Sequence, residues 1–160
     1  MKLLVDADSC PRQAREMVVR AANRLNLRVI FAANRPIPGI EGENLVMEVC
    51  PAGEGSADDR LVELVLPGDL AISRDVPLSK RILEKGGSVI DDRGRLATPE
   101  NIGELLSVRD FTVGLAETGL FSDRDRARGY GRKQIGNFAN SLDRELTRLM
   151  KRESPGGTAE

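Results

Sequence analysis

The chain has 160 residues and a formal net charge of −1, with 40% hydrophobic and 31% charged residues, the profile of a globular domain able to bury a sizeable core. It contains no histidine, which excludes Ser-His-Asp and Cys-His catalysis and any His-ligated zinc. Chemistry is left to carboxylates, hydroxyls, Lys, Arg or a cation held by oxygen.

No apolar run approaches the roughly 20 residues of a membrane span, and no apolar signal block follows the first residues. Cys10 and Cys50 do not make a disulfide framework and read as free thiols. A cytoplasmic protein with no membrane partner is therefore expected.

In chain order, Lys2–Asp6 reads as a short buried strand. Residues 11–25 follow as an amphipathic helix, with Ala14, Met17, Val18, Ala21, Ala22 and Leu25 on one face and Pro11 in its first turn. Arg28–Ala33 is apolar after Arg28, as expected of a strand covered on both faces. A Pro- and Gly-rich loop, Asn34–Asn44, leads to a third strand at Leu45–Val49, and CPAGEGS at 50–56 is a further loop. A helix over 57–66 stops at Pro67-Gly68. A strand over Asp69–Ser73, a helix over Pro77–Lys85 closed by Gly86-Gly87, and a strand over Ser88–Asp91 come next. After a turn at Gly94, Thr98-Pro99-Glu100 opens a helix, with Thr98 as its N-cap, and one or two helices fill 100–118. This alternation predicts an α/β fold, a three-layer α/β/α sandwich around a mainly parallel sheet.

Parallel sheets of this kind bind ligands beyond the carboxyl ends of their strands. The residues found there are Asp6 and Asp8 after the first strand, Arg74 and Asp75 after the fourth, and Asp91, Asp92 and Arg93 after the fifth. Asp58 falls on the helical row shared by Leu61, Val62 and Val65, so a carboxylate is expected on a core-facing row. Clustered carboxylates repel one another unless a hard cation holds them. Mg²⁺ or Mn²⁺ fits an all-oxygen donor set and points to phosphate-ester hydrolysis. Each acid also has a structural alternative: Asp8 as a helix cap, Asp58 and Asp59 as helix-start acids, and Asp75, Asp91 and Asp92 as turn residues. The run Arg124, Arg126, Arg128 and Arg132 reads as a solvated segment before it reads as a nucleic-acid surface.

VDADSCP at 5–11, ADDRLVE at 57–63, GDLAISRDVPLSKRILEKGG at 68–87 and RGRLATPENI at 93–102, with Arg109-Asp110 and the closing FSDRDRARGYGRKQIGNFANSLDREL, resemble the ordered motifs of the YaiI/YqxD family of bacterial proteins. That family is placed in the PIN-like superfamily, whose members are parallel α/β/α sandwiches and in many cases Mg²⁺- or Mn²⁺-dependent nucleases acting on RNA. The resemblance implies one PIN-like domain over 1–152, and the residues ESPGGTAE at 153–160 read as a disordered tail. It implies Asp6, Asp8, Asp58 and Asp75 as catalytic metal ligands, and Arg74, Arg93, Thr98, Asn101 and Arg109 as substrate contacts. Single-stranded RNA is the expected partner, and a homodimer is possible. Two other readings stay open. One is a haloacid-dehalogenase-type phosphatase with Asp6 as nucleophile, Asp8 as acid/base, and Ser73, Lys80 or Lys85, and Asp91-Asp92 in support. The other is a non-catalytic module that binds nucleic acid or protein.

Overall fold

Leu3–Asp6 forms β1, and all four of its residues are buried, because it lies at the centre of a sheet covered on both faces. The computed structural model describes residues 1–119 and 129–154. Its sheet is completed by β2 (Val29–Ala33), β3 (Leu45–Val49), β4 (Leu70–Ile72), β5 (Ser88–Ile90) and β6 (Leu96–Ala97), in the order β3-β2-β1-β4-β5-β6. The first five strands are parallel, and β6 pairs antiparallel with β5. Asp6 lies opposite Ala32, and Val5 opposite Ile72. The three-layer α/β sandwich expected from the alternation of elements is what the chain forms.

The alternation of side chains along each strand sorts the core into two layers. Leu3, Val5, Val29, Phe31, Leu70 and Ile72 point to one face. There they meet α1 (Arg12–Leu25) through Ala14, Val18 and Ala22, and the last helix, α5 (Arg132–Glu153), through Phe138, Leu142, Leu146 and Leu149. Leu4, Ile30, Ala32, Ala71 and Val89 point to the other face, against α2 (Ser56–Leu64), α3 (Val76–Glu84) and the start of α4 (Ile102–Glu117). Asp6 shares the parity of Leu4, so its carboxylate is directed toward the layer of α2 and α3.

Two elements were not foreseen. β6 is only two residues long, too short for a periodic signal. α5 carries Phe138, Leu142, Leu146 and Leu149 at helical spacing, yet the sequence reading placed no element beyond residue 118. Glu153 is the last residue of α5; the rest of the tail expected over 153–160 falls mainly on residues 155–160, which lie outside the described residues, as do Arg124, Arg126 and Arg128. The turn between β5 and β6 is clamped to α5. The Ser141 hydroxyl donates to the Gly94 carbonyl at 2.6 Å, and Gly94 adopts φ +84° where a Cβ would stand 2.5 Å from the Asn137 carbonyl oxygen. Only glycine fits there.

The strand order fixes where a ligand can enter. The chain leaves β1 toward β2 and β3 on one side, then returns to lay β4 and β5 on the other, so the helices after β1 and β4 lie on opposite faces. The carboxyl ends of β1 and β4 therefore form the topological switch point, the β1/β4 crevice, at which sheets of this kind bind ligands. Because Phe138 is completely buried between α5 and the sheet, Phe138→Ala is expected to cost about 3–5 kcal/mol. Urea unfolding measures it, and a loss below about 1 kcal/mol would mean that α5 does not share the core.

Candidate functional site

Asp6 ends β1 and is 6% exposed. A carboxylate this deep needs donors, and two hydroxyls supply them: Ser9 and Ser73 donate to its Oδ2 at 2.8 and 3.0 Å. Its Oδ1 accepts no hydrogen bond among the described residues. Burial raises the Asp6 pKa, the two serine hydrogen bonds oppose that rise, and Asp75 and Asp8 add to it. Ser73 also accepts the backbone N–H of Asp75 at 3.0 Å, so one hydroxyl ties the end of β1 to the start of α3.

Asp75 is the N-cap of α3, its Oδ1 accepting from the Leu78 N–H at 3.0 Å. The capping alternative is thus realised for Asp75, and its second oxygen is left for other work. Asp58 stands in the first turn of α2, half-buried beside the core residues Ala57 and Leu61. It has no hydrogen bond or ion pair among the described residues, whereas its neighbour Asp59 pairs with Arg81 at 2.8 Å. Burial first, then Asp75 and Asp6, push the Asp58 carboxyl up to about 6. Asp6, Asp58 and Asp75, carried by three separate elements, therefore feel one another at the β1/β4 crevice. Asp8 is the outlying member: it is exposed, and its Oδ2 accepts the Asn34 N–H at 2.9 Å, bracing the turn after β1 against the end of β2.

The remaining expected residues are dispersed. Arg74 is anchored by Asp92, which is buried. Asp91 shapes the β5–β6 turn by accepting the N–H groups of Arg93 and Arg95 at 2.9 and 2.8 Å. Thr98 and Asn101 bond reciprocally, at 2.7 and 3.1 Å, and Asn101 donates to the Leu96 carbonyl. Together with the Ile102 N–H to Thr98 carbonyl bond at 2.9 Å, this is a capping box one turn ahead of α4. The side chains of Thr98 and Asn101 are thereby committed to the local backbone. Arg109 is exposed on α4 beside Asp110. Lys80 is exposed on α3. Lys85 follows the end of α3 and donates to the Val62 carbonyl at 2.5 Å, toward the amino edge of the sheet and away from Asp6. Cys10 is buried, and its thiol is pushed up to about 12 by burial, which leaves it inert.

Sequence reasoning missed the hydroxyl support of Asp6, of which the Ser9 bond is local and the Ser73 bond arises only from the approach of β4 to β1. It also missed Tyr130, whose hydroxyl is buried without a hydrogen-bond partner and is pushed up to about 12 by burial and by Asp92. A cleft of about 660 Å³ between α1 and residues 38–40 is lined by none of the four acids.

Among the described residues, no three acid or cysteine side chains stand together as a ready-made metal centre. The donor set is nonetheless of the right kind for a weakly held, hydrated cation. Mg²⁺ keeps several waters and binds through one or two carboxylates completed by substrate phosphate, and Asp6 Oδ1 and the partnerless Asp58 carboxylate offer such contacts.

Residues 4–148 match the family described as "Uncharacterized BCR, YaiI/YqxD family". A UPF0178 protein of Treponema denticola is 44% identical over 151 residues, covering 94% of this chain and 95% of its own. UPF0178 proteins of Geobacter metallireducens and Myxococcus xanthus are 42% and 39% identical, covering 97% and 96% of this chain and 99% of each relative. No solved structure matches the chain. No helix among the described residues is long and apolar enough to cross a membrane.

The raised Asp58 carboxyl has a consequence for stability. Between pH 3.8, its ordinary value, and about 6, the folded chain holds a proton that the unfolded chain has released. The Asp58 contribution to stability therefore falls as pH rises through that window. Without divalent metal, Asp58→Asn is expected to melt above the wild type at pH values over 6, with the difference vanishing below about 4. A variant that melts lower at high pH would reveal a stabilising partner for the ionised carboxylate.

Proposed function

Starting from the fact that the chain belongs to the YaiI/YqxD family, we propose that it is a Mg²⁺- or Mn²⁺-dependent nuclease of PIN-like type that hydrolyses phosphodiester bonds in single-stranded RNA. The observation that carries this reading is the convergence of Asp6, Asp58 and Asp75 at the β1/β4 crevice, with Asp58 raised to about 6 by burial and by its two acidic neighbours. Structural carboxylates of this protein are treated differently. Asp69, at the opposite end of β4, is buried but holds Lys2 and accepts the Leu66 N–H at 2.8 Å, and buried Glu145 holds Arg148. A half-buried acid facing other acids with no donor is costly to keep, and such sites are functional candidates.

Asp6, Asp58 and Asp75 would hold the cation, with Asp8 at its margin. When bound, it supplies Lewis-acid polarisation of a phosphoryl oxygen and neutralises charge developing on the phosphate. Asp6 is fixed for this by Ser9 and Ser73, which leave Oδ1 available. Asp58, which has no hydrogen-bond donor of its own among the described residues, is suited to orient the attacking water. Asp75 is held in place by its capping bond to Leu78. Arg74, anchored on Asp92, and Arg93, in the turn after β5, supply the positive charge that follows the two strands beside the acids. They are the phosphate-binding candidates. Thr98 and Asn101 serve by shaping the start of α4, and Arg109 has no closer role to play.

Mn²⁺ titration by calorimetry, followed by an assay of labelled RNA, tests the reading. The wild type is expected to bind Mn²⁺ and cleave. Asp6→Asn with Asp75→Asn should abolish binding, and Asp58→Asn should lower kcat by about 10²–10⁴-fold while leaving the fold intact. Because protonated carboxylates do not ligate, Mn²⁺ affinity should also rise with pH through about 6. Absence of Mn²⁺ binding by the wild type near neutral pH would sink the proposal.

A further inference from the structure

Arg93, Arg95, Gln134, Asn137, Asn140 and Arg144 line a cleft of about 420 Å³, between the β5–β6 turn and the outer face of α5. No carboxylate is among its described lining residues. This is unusual in a chain with 25 acidic and 24 basic residues. Several other arginines are paired with acids: Arg12 with Glu16, Arg60 with Glu48 and Glu63, Arg74 with Asp92, Arg81 with Asp59, and Arg148 with Glu145. The guanidinium groups of Arg95 and Arg144 make no ion pair or hydrogen bond among the described residues, and neither do the exposed amides of Asn137 and Asn140. The nearby acids are occupied: Asp91 Oδ1 accepts two backbone N–H groups of the turn, and Asp143, beside Arg144 in sequence, faces Arg24 of α1 at 3.4 Å.

The walls are rigid. Ser141 donates to the Gly94 carbonyl, Gly94 leaves no room for a Cβ against Asn137, and α5 is seated on the sheet by Phe138 and Leu142. The cleft shares Arg95 with a neighbouring pocket that reaches the partner of Asp6. Ser73, which bonds Asp6, lines a small pocket with Arg74, Asp91 and Arg95. Arg95 in turn lines the cleft. Positive charge with unpaired amides, set on a fixed floor and leading to a candidate hydrolytic site, suits a polyanion with polar groups between its charges.

We infer that this cleft is the track for the phosphodiester backbone of a single-stranded polynucleotide, with Arg95 and Arg144 on phosphates and Asn137 and Asn140 on sugar or base edges. The choice of RNA as the strand rests on the nuclease reading; the cleft itself does not depend on catalysis. Backbone contacts of this type fix position and carry most of the salt dependence of binding.

The test is fluorescence anisotropy of a labelled oligouridine RNA titrated with the full chain in EDTA, at several salt concentrations. Arg95→Glu with Arg144→Glu is expected to weaken binding about tenfold or more. Loss of two phosphate contacts should also lower the slope of log affinity against log salt by about 1.4. Asp6→Asn with Asp75→Asn should bind at least as tightly as the wild type. An oligodeoxythymidine of equal length that binds comparably would support backbone recognition. Displacement by inorganic phosphate at matched phosphate concentration would overturn the track in favour of a single-anion site. Full binding by the charge-reversed variant also overturns it, and Asn140→Ala with Arg144→Ala repeats the comparison if that variant fails to fold. Binding without cleavage in Mn²⁺ would remove the nuclease reading and leave the cleft standing.

Discussion

The carboxyl edge of this sheet is organised around one buried anion. Asp6 ends β1 where no solvent can stabilise its charge, and it stays there because Ser9 closes on it from the turn and Ser73 from β4. The Ser73 bond exists only because β4 lies directly beside β1 in the observed register. Ser73 then places the Asp75 backbone, Asp75 caps α3, and α3 packs Leu78 and Ile82 on the same face as the buried side of α2. Asp58 reaches the same edge on α2, whose Ala57 and Leu61 pack in that core layer with Leu78 and Ile82.

That arrangement also separates two uses of carboxylates within one fold. At the amino edge, Asp69 meets Lys2 and two backbone N–H groups, so its charge is balanced where it is buried. At the carboxyl edge, among the described residues, Asp6 has hydroxyls but no ion pair, and Asp58 has neither a hydrogen bond nor an ion pair, only the lesser pull of Arg81. Folding is favoured by the first arrangement and disfavoured by the second. Such unbalanced charge persists in proteins where a ligand compensates it. On the other side of the same edge, Arg95 and Arg144 make no ion pair among the described residues, although the Arg95 guanidinium acts on the Asp91 carboxyl. Acids without donors beside a basic, amide-lined groove suit the proposed grip on a phosphodiester.

Much of the fold was legible along the chain. Strands such as Leu3–Asp6 and Val29–Ala33 are apolar throughout because both faces are covered, and α1 shows its buried row at helical spacing. The acids after the strands could be gathered at one edge because a parallel sheet points all its carboxyl ends the same way. Helix α5 was not recognised, although Phe138, Leu142, Leu146 and Leu149 repeat on one face; the basic and amide residues between them mask the pattern in a linear reading. The cleft that α5 forms with the β5–β6 turn was invisible for a stronger reason, since Arg95 and Arg144 are about fifty positions apart.

Local sequence determined the elements, the parallel sheet and the edge on which Asp6, Asp58 and Asp75 would be found, because side-chain periodicity and helix capping act over a few residues. Only the tertiary structure decided which acids share an environment and which are diverted. Asp8 turns to the Asn34 N–H, Asp91 to its own turn, Asp92 to Arg74, and Thr98 and Asn101 to each other. Burial and charge depend on what lies within a few ångströms in space, and that is set by the order in which the strands pack.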